Sequence, residues 1–224
     1  MIAKLPHIDT WIFDLDNTLY PSNCNLFALI DEKMRAYVGD LLGVGEDEAH
    51  RIQKHYFRTH GTTLSGLMTE HHVDPHHFLD YVHDIDMDRL SPDPALAAHI
   101  TALPGRKLIF TNGDAPSAGR VLEKLGLADC FEGLFDIHDS GYAPKPHADC
   151  YKLMCEKLSV TPAKALFAED MARNLRPAKA LGMATLWINN GSDYGTAEAC
   201  PSFIDFECAD IGTWLGSILE EQSQ

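Results

Sequence analysis

Two carboxylates stand two residues apart near the N-terminus, in the string Asp14-Leu-Asp16-Asn-Thr18. They follow a short run of strand-forming residues at 10–13 and precede Pro21, which disfavours direct continuation of a strand. The acids are therefore predicted at the carboxyl end of a strand, where open α/β sheets bind ligands. Two acids so close repel each other unless a cation or a shared proton relieves them. A pair of surface acids that caps a helix would look the same in isolation.

Residues that suit a phosphate follow a second predicted strand. The string Thr111-Asn-Gly113 comes directly after residues 107–110, and its short polar side chains and accessible backbone N–H groups suit an anion. The same tripeptide is common in ordinary turns. Further along, Lys145 lies between Pro144 and Pro146, and two prolines would hold it in a fixed position. A lysine on a surface loop is more often simply solvated.

A second acidic pair completes the set of candidate residues. Glu169 and Asp170 follow the predicted strand at 165–168. The carboxyl ends of parallel strands meet at one edge of a sheet, so both acidic pairs, the Thr-Asn-Gly string and the lysine are expected to lie close together. Carboxylate oxygens suit Mg²⁺, which keeps several waters and bridges to phosphate. The residues therefore indicate a site for Mg²⁺ and a phosphate group.

Alternating strands and helices are expected to position these residues. Short β-prone runs predict strands at 10–13, 107–110, 134–137, 165–168 and 184–188. Helical spacing of apolar residues predicts helices at 25–42, 46–59, 76–84, 93–103, 117–125, 148–158, 174–181 and 211–219. This alternation predicts an α/β fold whose parallel sheet is covered on both faces. Residues 1–19 and 89–224 are expected to form this core, with the helical stretch 20–88 inserted after the first strand.

Composition argues against several kinds of partner. The 224 residues are 45% hydrophobic, enough for a full core. Lys and Arg number 18 against 33 Asp and Glu, and the net charge of −15 argues against nucleic acid or an anionic membrane as partner. No apolar run approaches the ~20 residues that cross a bilayer, and the N-terminus lacks the apolar segment of a signal peptide. The six scattered cysteines form no C-x-x-C pair and are expected to be reduced, which predicts a cytoplasmic protein.

Four motifs, in their order and spacing, resemble those of the haloacid dehalogenase (HAD) superfamily of aspartyl-phosphate phosphohydrolases. The motifs are Phe13-Asp-Leu-Asp-Asn-Thr-Leu-Tyr-Pro21, Phe110-Thr-Asn-Gly113, Pro144-Lys-Pro146 and Phe167-Ala-Glu-Asp170. The resemblance covers about residues 10–190. It implies a Rossmann-like parallel sheet with helices on both faces and a helical cap inserted after the first strand.

A closer resemblance is to the pyrimidine 5′-nucleotidase-like branch of this superfamily. It is carried by Asn17-Thr-Leu-Tyr-Pro21, Gly61-Thr-Thr-Leu-Ser-Gly-Leu67, Val82-His-Asp-Ile-Asp86, Thr111-Asn-Gly-Asp114, Asn174-Leu175 and Ala178-Lys-Ala-Leu-Gly-Met183. Members of such branches differ in what they hydrolyse. The resemblance implies a small phosphorylated metabolite as substrate, and a pyrimidine nucleoside 5′-monophosphate is the expected one.

The superfamily resemblance implies a role for each catalytic candidate. Asp14 would be the nucleophile that takes the phosphoryl group and also a Mg²⁺ ligand. Asp16 would protonate the leaving oxygen and then activate the hydrolytic water, and its backbone carbonyl would contact Mg²⁺. Lys145 would neutralise charge on Asp14 and on the transferring group. An acid at position 16 favours phosphate chemistry over dehalogenation, in which this position is not an acid.

The remaining candidates are assigned to binding by the same resemblance. Phosphate would be held by Thr111 and by the backbone amides of Asn112 and Gly113. Asp170 would bind Mg²⁺ directly, Glu169 would act through water or on Lys145, and Asn174 would support that loop. Glu169 stands where this branch more often has Asp, and Met171 stands where a small polar residue is common. Neither change removes an essential group.

Three functions are compatible with these residues. The first is a Mg²⁺-dependent phosphomonoesterase, with a sugar phosphate or phosphoglycolate as alternative substrates to a nucleotide. The second is a phosphomutase, which would use the same acids and return the phosphoryl group to its substrate. The third is a non-catalytic regulatory protein, which would be expected to have lost the nucleophile or a metal-binding acid, whereas this sequence retains them. The oligomeric state is not indicated.

Four histidines are interpreted as structural, and a short polar string has two alternative interpretations. His71, His72, His76 and His77 are interpreted as a solvated polar surface rather than a metal site. The string Gly61-Thr-Thr63 is either a turn between helices or a contact with substrate, since loops often carry function.

Overall fold

A six-stranded parallel sheet forms the centre of the computed structural model, which describes residues 5–222. In chain order its strands are β1 (Thr10–Phe13), β2 (Arg106–Phe110), β3 (Gly133–Phe135), β4 (Ala165–Glu169), β5 (Ala184–Ile188) and β6 (Phe206–Cys208). Their order across the sheet is β3-β2-β1-β4-β5-β6, and every neighbouring pair is parallel. The predicted α/β fold is therefore confirmed.

Helices cover both faces of this sheet. The α-helices in the described part of the chain are α1 (Leu26–Leu42), α2 (Glu46–His60), α3 (Thr63–His71), α4 (Pro75–His83), α5 (Pro94–Ala102), α6 (Ala115–Leu125), α7 (Ala148–Lys157), α8 (Ala172–Ala180), α9 (Asp193–Thr196) and α10 (Ile211–Gln222), of which α1–α4 form a separate group. Successive residues of a strand point to opposite faces, so Trp11 and Phe13 pack in one buried cluster and Ile12 in the other. Burial on both faces explains why β1 is apolar throughout.

The central strand β1 lies where the order of the strands reverses. Phe13 of β1 is opposite Ile109 of β2 on one side and Ala168 of β4 on the other. The chain first extends the sheet through β2 and β3, and then returns across β1 to add β4, β5 and β6. Such a switch point leaves a crevice at the carboxyl ends of the strands, where α/β proteins bind ligands. Residues that follow β1, β2 and β4 therefore meet at one edge.

Helices α1–α4, which lie between β1 and β2 in the chain, share an apolar cluster of their own. Its buried members are Ile30, Val38, Ala49, Tyr56, Leu64, Leu67, Val73, Phe78, Leu79, Val82 and, from the segment after β3, Ile137. By contrast, α5 packs with α10 through the cluster that covers the sheet. We keep residues 20–88 as the predicted extent of a cap.

Helix α3 is the main difference from the sequence expectation, which predicts no helix between residues 59 and 76. The helix begins at Thr63, and Thr62 caps it by accepting a hydrogen bond from the backbone N–H of Ser65. Gly66 lies against α2, because a Cβ atom at this position would be only 2.4 Å from the Cβ of Tyr56. Close packing between two helices therefore outweighs the low helix propensity of glycine.

Smaller differences concern short elements near the ends of the sheet. The strand predicted at 134–137 ends at Phe135, because its partner β2 ends at Phe110 and the pairing stops there. Strand β6 and helix α9 have only three and four residues, too few to produce a recognisable apolar period. Within residues 5–222, no helix combines the length and the apolar character needed to cross a membrane.

Candidate active site

The acidic and polar candidates meet at the carboxyl edge of the sheet. Asp14 directly follows β1, Thr111 directly follows β2, and Glu169 is the last residue of β4. The backbone N–H of Asp14 donates to the carbonyl oxygen of Ala168 at 2.9 Å, which continues the pairing of β1 with β4 into the site. The rigid centre of the sheet thus fixes the backbone of the acids.

Lys145 reaches these acids from the segment between β3 and α7, although 131 positions separate it from Asp14. Its Nζ donates to Oδ1 of Asp14 at 2.7 Å, to Oε2 of Glu169 at 2.7 Å and to the carbonyl oxygen of Phe110 at 2.9 Å. The three protons of the ammonium group are thereby used, and the residue is only 1% exposed. Lys145 is therefore an internal counter-ion and not a solvated surface lysine.

Negative charge exceeds positive charge around this lysine. Burial, and next the charge of Glu169, raise the pKa of Asp14 from 3.8 to about 7, although Lys145 opposes the change. Burial and the neighbouring carboxylates likewise hold the pKa of Asp170 well above its ordinary value. Burial disfavours the charged form of Lys145, but Asp14 and Glu169 raise its pKa overall. An additional positive charge here would stabilise the ionised acids.

A group of three carboxylates has the arrangement of a cation site. Asp14, Glu169 and Asp170 are buried, and each offers an oxygen that lies within 4.8 Å of the other two. A donor set made only of carboxylate oxygens fits a hard divalent cation such as Mg²⁺. Both oxygens of Glu169 are already engaged, one by Lys145 and the other by the backbone N–H of Met171 at 3.1 Å. Asp170 is therefore better placed than Glu169 to bind a cation directly.

Two hydroxyl groups without a predicted role orient the first acidic pair. Thr18 Oγ1 donates to Oδ2 of Asp14 at 3.0 Å, and the Tyr20 hydroxyl donates to Oδ1 of Asp16 at 2.6 Å. Burial raises the pKa of Asp16, whereas the Tyr20 hydrogen bond lowers it. In both pairs the partners are four residues apart, because the loop after β1 turns like a helix. That spacing is the signal in the sequence from which they could have been identified.

The Thr-Asn-Gly string lies beside the acids, with several of its polar groups already paired. The Asn112 side chain donates to the backbone carbonyl of Lys145 at 3.2 Å and accepts its backbone N–H at 2.8 Å. The N–H of Gly113 donates to Thr111 Oγ1 at 3.0 Å. The two bonds of Asn112 therefore hold the segment that carries Lys145.

Asn174, from α8, is buried beside the acids, and its Oδ1 has no hydrogen-bond partner within the described residues.

His83 connects the inserted helices to the core beside the site. It is the last residue of α4, and its Nδ1 lies 3.2 Å from Oδ1 of Asp114 without the alignment of a hydrogen bond. Asp114 also accepts the backbone N–H of Ser117 at 2.9 Å and so caps α6. The backbone carbonyl of His83 accepts a hydrogen bond from Arg120 at 2.6 Å. The partners of His83 lie far away in the chain, so the sequence identifies this residue only as part of a motif.

A cavity of about 230 Å³ lies between the acids and helices α1–α4. Its wall at the sheet edge is formed by Asp14, Asp16, Asn17, Asn112, Gly113, Lys145, Glu169, Asp170 and Asn174. The opposite wall contains the apolar side chains Phe27, Ile30, Met34, Phe57, Leu64, Phe78, Leu79 and Val82. Thr62 and Thr63 also line it, which favours the interpretation of this string as a possible point of substrate contact. The cavity therefore has a polar wall at the sheet edge and a mostly apolar wall formed by the inserted helices.

Helix α2 contacts the core at one side of this cavity. The ring of Phe57 packs edge-on against Tyr194 at 5.8 Å, and the guanidinium of Arg173 lies 4.5 Å from the Phe57 ring centre. Arg173 also donates to the carbonyl oxygen of Gly61 at 3.3 Å. These contacts join the inserted helices to α8 and α9.

Histidines of the inserted helices contact tyrosines. His71 hydrogen-bonds the hydroxyl of Tyr56 at 2.7 Å, and His77 hydrogen-bonds the hydroxyl of Tyr37 at 2.9 Å. His76 stacks on His138 with 4.8 Å between ring centres. These contacts agree with a structural interpretation of the histidines.

Known proteins provide an independent comparison with this geometry. The family model described as haloacid dehalogenase-like hydrolase matches residues 8–182. Phosphate metabolism protein 8 of Saccharomyces cerevisiae is 29% identical over 202 residues, which cover 80% of this chain and only 62% of that relative. A phosphoglycolate phosphatase of Escherichia coli O157:H7 is 26% identical over 222 residues, 88% of this chain and 87% of that protein.

A similar fold is also found among solved structures. The HAD phosphatase of Thermococcus onnurineus superposes with a TM-score of 0.62 at 19% identity, covering 95% of this chain and 98% of that one. This likeness concerns the fold, and the match of the family model extends over most of the sequence. The chain therefore belongs to the haloacid dehalogenase-like hydrolase family.

Proposed function

We propose that this protein is a Mg²⁺-dependent phosphomonoesterase that acts through an aspartyl phosphate on a small phosphorylated metabolite, a pyrimidine nucleoside 5′-monophosphate. The observation that carries the proposal is the 2.7 Å contact between Asp14 and the buried Lys145, next to the acids Glu169 and Asp170. A carboxylate beside a counter-ion and a cation site suits attack on phosphorus, because charge on the transferring oxygens needs compensation. Asp16 supplies the acid and base.

In the first step, an oxygen of Asp14 attacks the phosphorus atom, and the bond between phosphorus and the leaving oxygen breaks. Asp16 gives its proton to that oxygen, so the product leaves as a neutral alcohol. Burial raises the pKa of Asp16, which favours the protonated form that this step needs. Lys145 compensates negative charge on Asp14 and on the transferring group.

In the second step, a water molecule attacks the phosphorus atom of the aspartyl phosphate. The bond to Asp14 breaks, inorganic phosphate leaves, and the ionised Asp16 takes a proton from the attacking water. The 2.6 Å hydrogen bond from Tyr20 favours the ionised form of Asp16 and fixes the direction of its oxygens. One carboxylate thus serves as acid and then as base.

Mg²⁺ is the cation that we assign to the carboxylate cluster. Asp14 and Asp170 would hold it through side-chain oxygens and Asp16 through its backbone carbonyl, while Lys145 engages Glu169. When bound, the cation would compensate charge on the phosphoryl oxygens. The absence of nitrogen and sulfur from this donor set disfavours softer metals.

Asp170→Asn is expected to weaken the dependence of activity on Mg²⁺. The amide keeps the shape of the side chain but removes one negative charge, so the Mg²⁺ concentration for half-maximal activity should rise about 10–100-fold. The measurement is phosphate release as a function of MgCl₂ concentration. Asp149→Asn, which changes an exposed carboxylate paired with Lys152, is the matched control and should titrate like the wild type. An unchanged titration for Asp170→Asn would remove this residue from the metal site.

Tyr20→Phe is expected to lower kcat about 10–100-fold and leave KM nearly unchanged. The substitution removes one hydrogen bond to a charged group, a loss of about 1.5–3 kcal/mol when the partner is an ionised carboxylate. Asp16 acts on the leaving oxygen and the water rather than on bound substrate in its ground state, so the effect belongs in kcat. Steady-state kinetics would decide this, and a rise in KM alone would place Tyr20 in substrate binding instead.

The cavity supports a substrate whose leaving group is flat and largely apolar. Phe27, Phe57 and Phe78 contribute aromatic surface to its wall, and a nucleobase packs well against such side chains. The resemblance to the pyrimidine 5′-nucleotidase-like branch favours the same class of substrate. Closure of helices α1–α4 over the acids would exclude water from the first step.

Phosphoglycolate is the second candidate substrate. The similar protein of Escherichia coli O157:H7 carries the name phosphoglycolate phosphatase. Arg173 lines the cavity, and its buried Nε has no hydrogen-bond partner within the described residues, so a guanidinium is available for the carboxylate of glycolate. The apolar side chains of the opposite wall favour a base over a second anionic group.

Phosphate release from a panel of phosphomonoesters, with Mg²⁺ and with EDTA, tests the proposal. The panel contains pyrimidine and purine 5′-nucleotides, phosphoglycolate and sugar phosphates. EDTA-sensitive release from pyrimidine nucleotides is the expected result. Release from phosphoglycolate or sugar phosphates alone would keep the chemistry and refute the nucleotide substrate. Isomerised substrate without free phosphate would indicate a phosphomutase, and no turnover by folded protein would indicate a regulatory role.

A further inference from the structure

Gln53 is a buried polar residue on the mostly apolar side of the cavity. It belongs to α2, it is 1% exposed, and it lines the same cavity as the acids of the candidate active site. The mechanism proposed above makes no use of it. A glutamine in such a place needs partners for both the nitrogen and the oxygen of its amide.

The partners of Gln53 determine which way its amide points. Its Nε2 donates to the backbone carbonyl of Asp31 at 3.2 Å and to Oδ1 of the same residue at 2.8 Å. Lys54 also donates to this Oδ1, at 2.6 Å, so the oxygen acts as an acceptor in both contacts. A flipped amide would set its oxygen against two acceptors, so the nitrogen must face Asp31.

The carbonyl oxygen of Gln53 is therefore left without a partner. Oε1 is buried, and no group among the described residues donates to it. The link between α1 and α2 through Asp31 uses only the amide nitrogen, so it does not explain the oxygen. A buried unpaired acceptor is costly to folding, and in a ligand cavity it is the mark of a group that a ligand completes.

Most of the neighbouring side chains have no hydrogen-bond donor. The cavity-lining residues of α1 and α4 include the apolar Phe27, Ile30, Met34, Phe78 and Leu79, and the polar Asp31 and His83 beside them do not donate to Oε1. A ligand that fills this space with a flat apolar body would bring its own N–H group to Oε1. Polar atoms placed singly in an apolar pocket are what gives such a pocket its specificity.

We propose that Oε1 of Gln53 accepts a hydrogen bond from an N–H group of the substrate's nucleobase and that Gln53 determines specificity. This inference rests on the phosphomonoesterase function proposed above and identifies the group that distinguishes the base. It predicts that nucleotides whose base carries a ring N–H are preferred over analogues in which that hydrogen is replaced.

The test compares uridine 5′-monophosphate with its N3-methyl analogue, because uracil has a single N–H and the methyl group removes it. In the wild type, kcat/KM for the unmodified nucleotide is expected to exceed that for the analogue at least about 10-fold. In Gln53→Met, which has a similar length and no acceptor, this ratio is expected to fall at least about 10-fold. The added methyl group also needs space, so the informative quantity is the change of the ratio between proteins.

Two control variants keep the test decisive. Arg51→Met changes an exposed side chain of the same helix outside the cavity and should keep the wild-type ratio. Gln53→Leu repeats the deletion of the acceptor with a different side chain, and the melting temperature of each variant verifies folding. A wild type that treats both nucleotides alike, or a Gln53→Met protein that keeps the wild-type preference, would overturn the inference.

Failure of the proposed function would be distinguishable from failure of this inference. If the wild type hydrolysed neither nucleotide, the phosphomonoesterase proposal would fail. The dissociation constants of the same two nucleotides would then be compared by isothermal titration calorimetry. Tighter binding of the N–H form that Gln53→Met abolishes would still support the role of Oε1. Equal dissociation constants for the two nucleotides in the wild type would refute it.

Discussion

Asp14→Asn is expected to lower kcat for phosphomonoester hydrolysis by at least about 10³-fold. The substitution replaces an oxygen nucleophile by an amide, which is too weakly nucleophilic to attack phosphorus. It also removes one of the three carboxylates that form the proposed cation site. Loss of the covalent step and loss of a metal ligand act in the same direction, so this is the largest effect on activity that we expect from a single substitution.

The same variant is expected to stay folded. Lys145 donates to Oδ1 of Asp14 and Thr18 donates to Oδ2, and an asparagine can accept the first bond and donate the second, since the threonine hydroxyl can rotate to accept. Burial and the charge of Glu169 raise the pKa of Asp14 to about 7, so the carboxylate is costly in the metal-free protein. Asp14→Asn should therefore have an unchanged or higher melting temperature in EDTA.

Activity and melting temperature together decide the role of Asp14. Phosphate release is measured for the wild type and Asp14→Asn with saturating Mg²⁺, and melting is followed without metal. Asp149→Asn, an exposed acid on α7, should resemble the wild type in both experiments. Substantial turnover by Asp14→Asn would refute the aspartyl-phosphate mechanism. Loss of activity together with unfolding would assign Asp14 a structural role.

The order of strands and helices could be predicted because each main element has a regular pattern. The buried strands β1, β4 and β5 are short apolar runs, and helices such as α6 end at a glycine with positive φ. Helix α3 could not be predicted in this way, since it depends on the contact between Gly66 and Tyr56 rather than on local propensity. Strand β6 is formed by pairing at the edge of the sheet, and three residues carry no period.

The positions of the site residues could be predicted in part from the topology of the sheet. Asp14, Thr111 and Glu169 could be brought together from the sequence because parallel strands end at a common edge. The contact between Glu169 and Lys145 follows only from the family resemblance, because Lys145 reaches the site from a distant segment. The bond from the backbone N–H of Met171 to the other oxygen of Glu169 has no signal in the sequence. The same holds for His83, whose partner Asp114 belongs to the core.

The spacing of four residues between hydroxyl groups and acids in the first motif contains information about the site that the predictions above do not include. Thr18 and Tyr20 stand four positions after Asp14 and Asp16, and both pairs are hydrogen-bonded. Gln53 differs, because nothing in its neighbourhood in the sequence distinguishes it from other polar residues of α2. Its unpaired oxygen becomes visible only when α1 and α2 pack together and engage its nitrogen.

Lys145→Met is expected to damage activity and stability together. The ammonium group binds Asp14, Glu169 and the carbonyl oxygen of Phe110, and methionine would leave these buried acceptors without their donor. Removing one member of a buried ion pair costs about 3–5 kcal/mol of unfolding free energy. Loss of the positive charge beside the transferring group should lower kcat about 10²–10³-fold. Asp14→Asn and Lys145→Met thus differ in stability while both lose activity.

The loss of stability in Lys145→Met should depend on pH with a defined sign. The pKa of Asp14 is raised by burial and by Glu169 from 3.8 to about 7, so between these values the folded protein holds a proton that the unfolded chain releases. The corresponding stabilisation is present below the lower value and is lost as the pH rises through about 7. Lys145 lowers the pKa of Asp14, so without it the unfolding free energy should continue to fall above the pH at which the wild type becomes constant.

Urea unfolding in EDTA at several pH values measures this difference. Lys152→Met removes a lysine from an exposed pair with Asp149 and should unfold like the wild type at every pH. A matching pH dependence for Lys145→Met and the wild type would show that Lys145 does not control the ionisation of Asp14. A fall that continues to higher pH in Lys145→Met than in the wild type would mean that one buried ammonium favours the ionised nucleophile and stabilises the acidic site. The acids that perform the chemistry are therefore also the groups that the fold must stabilise, and Lys145 contributes both to catalysis and to stability.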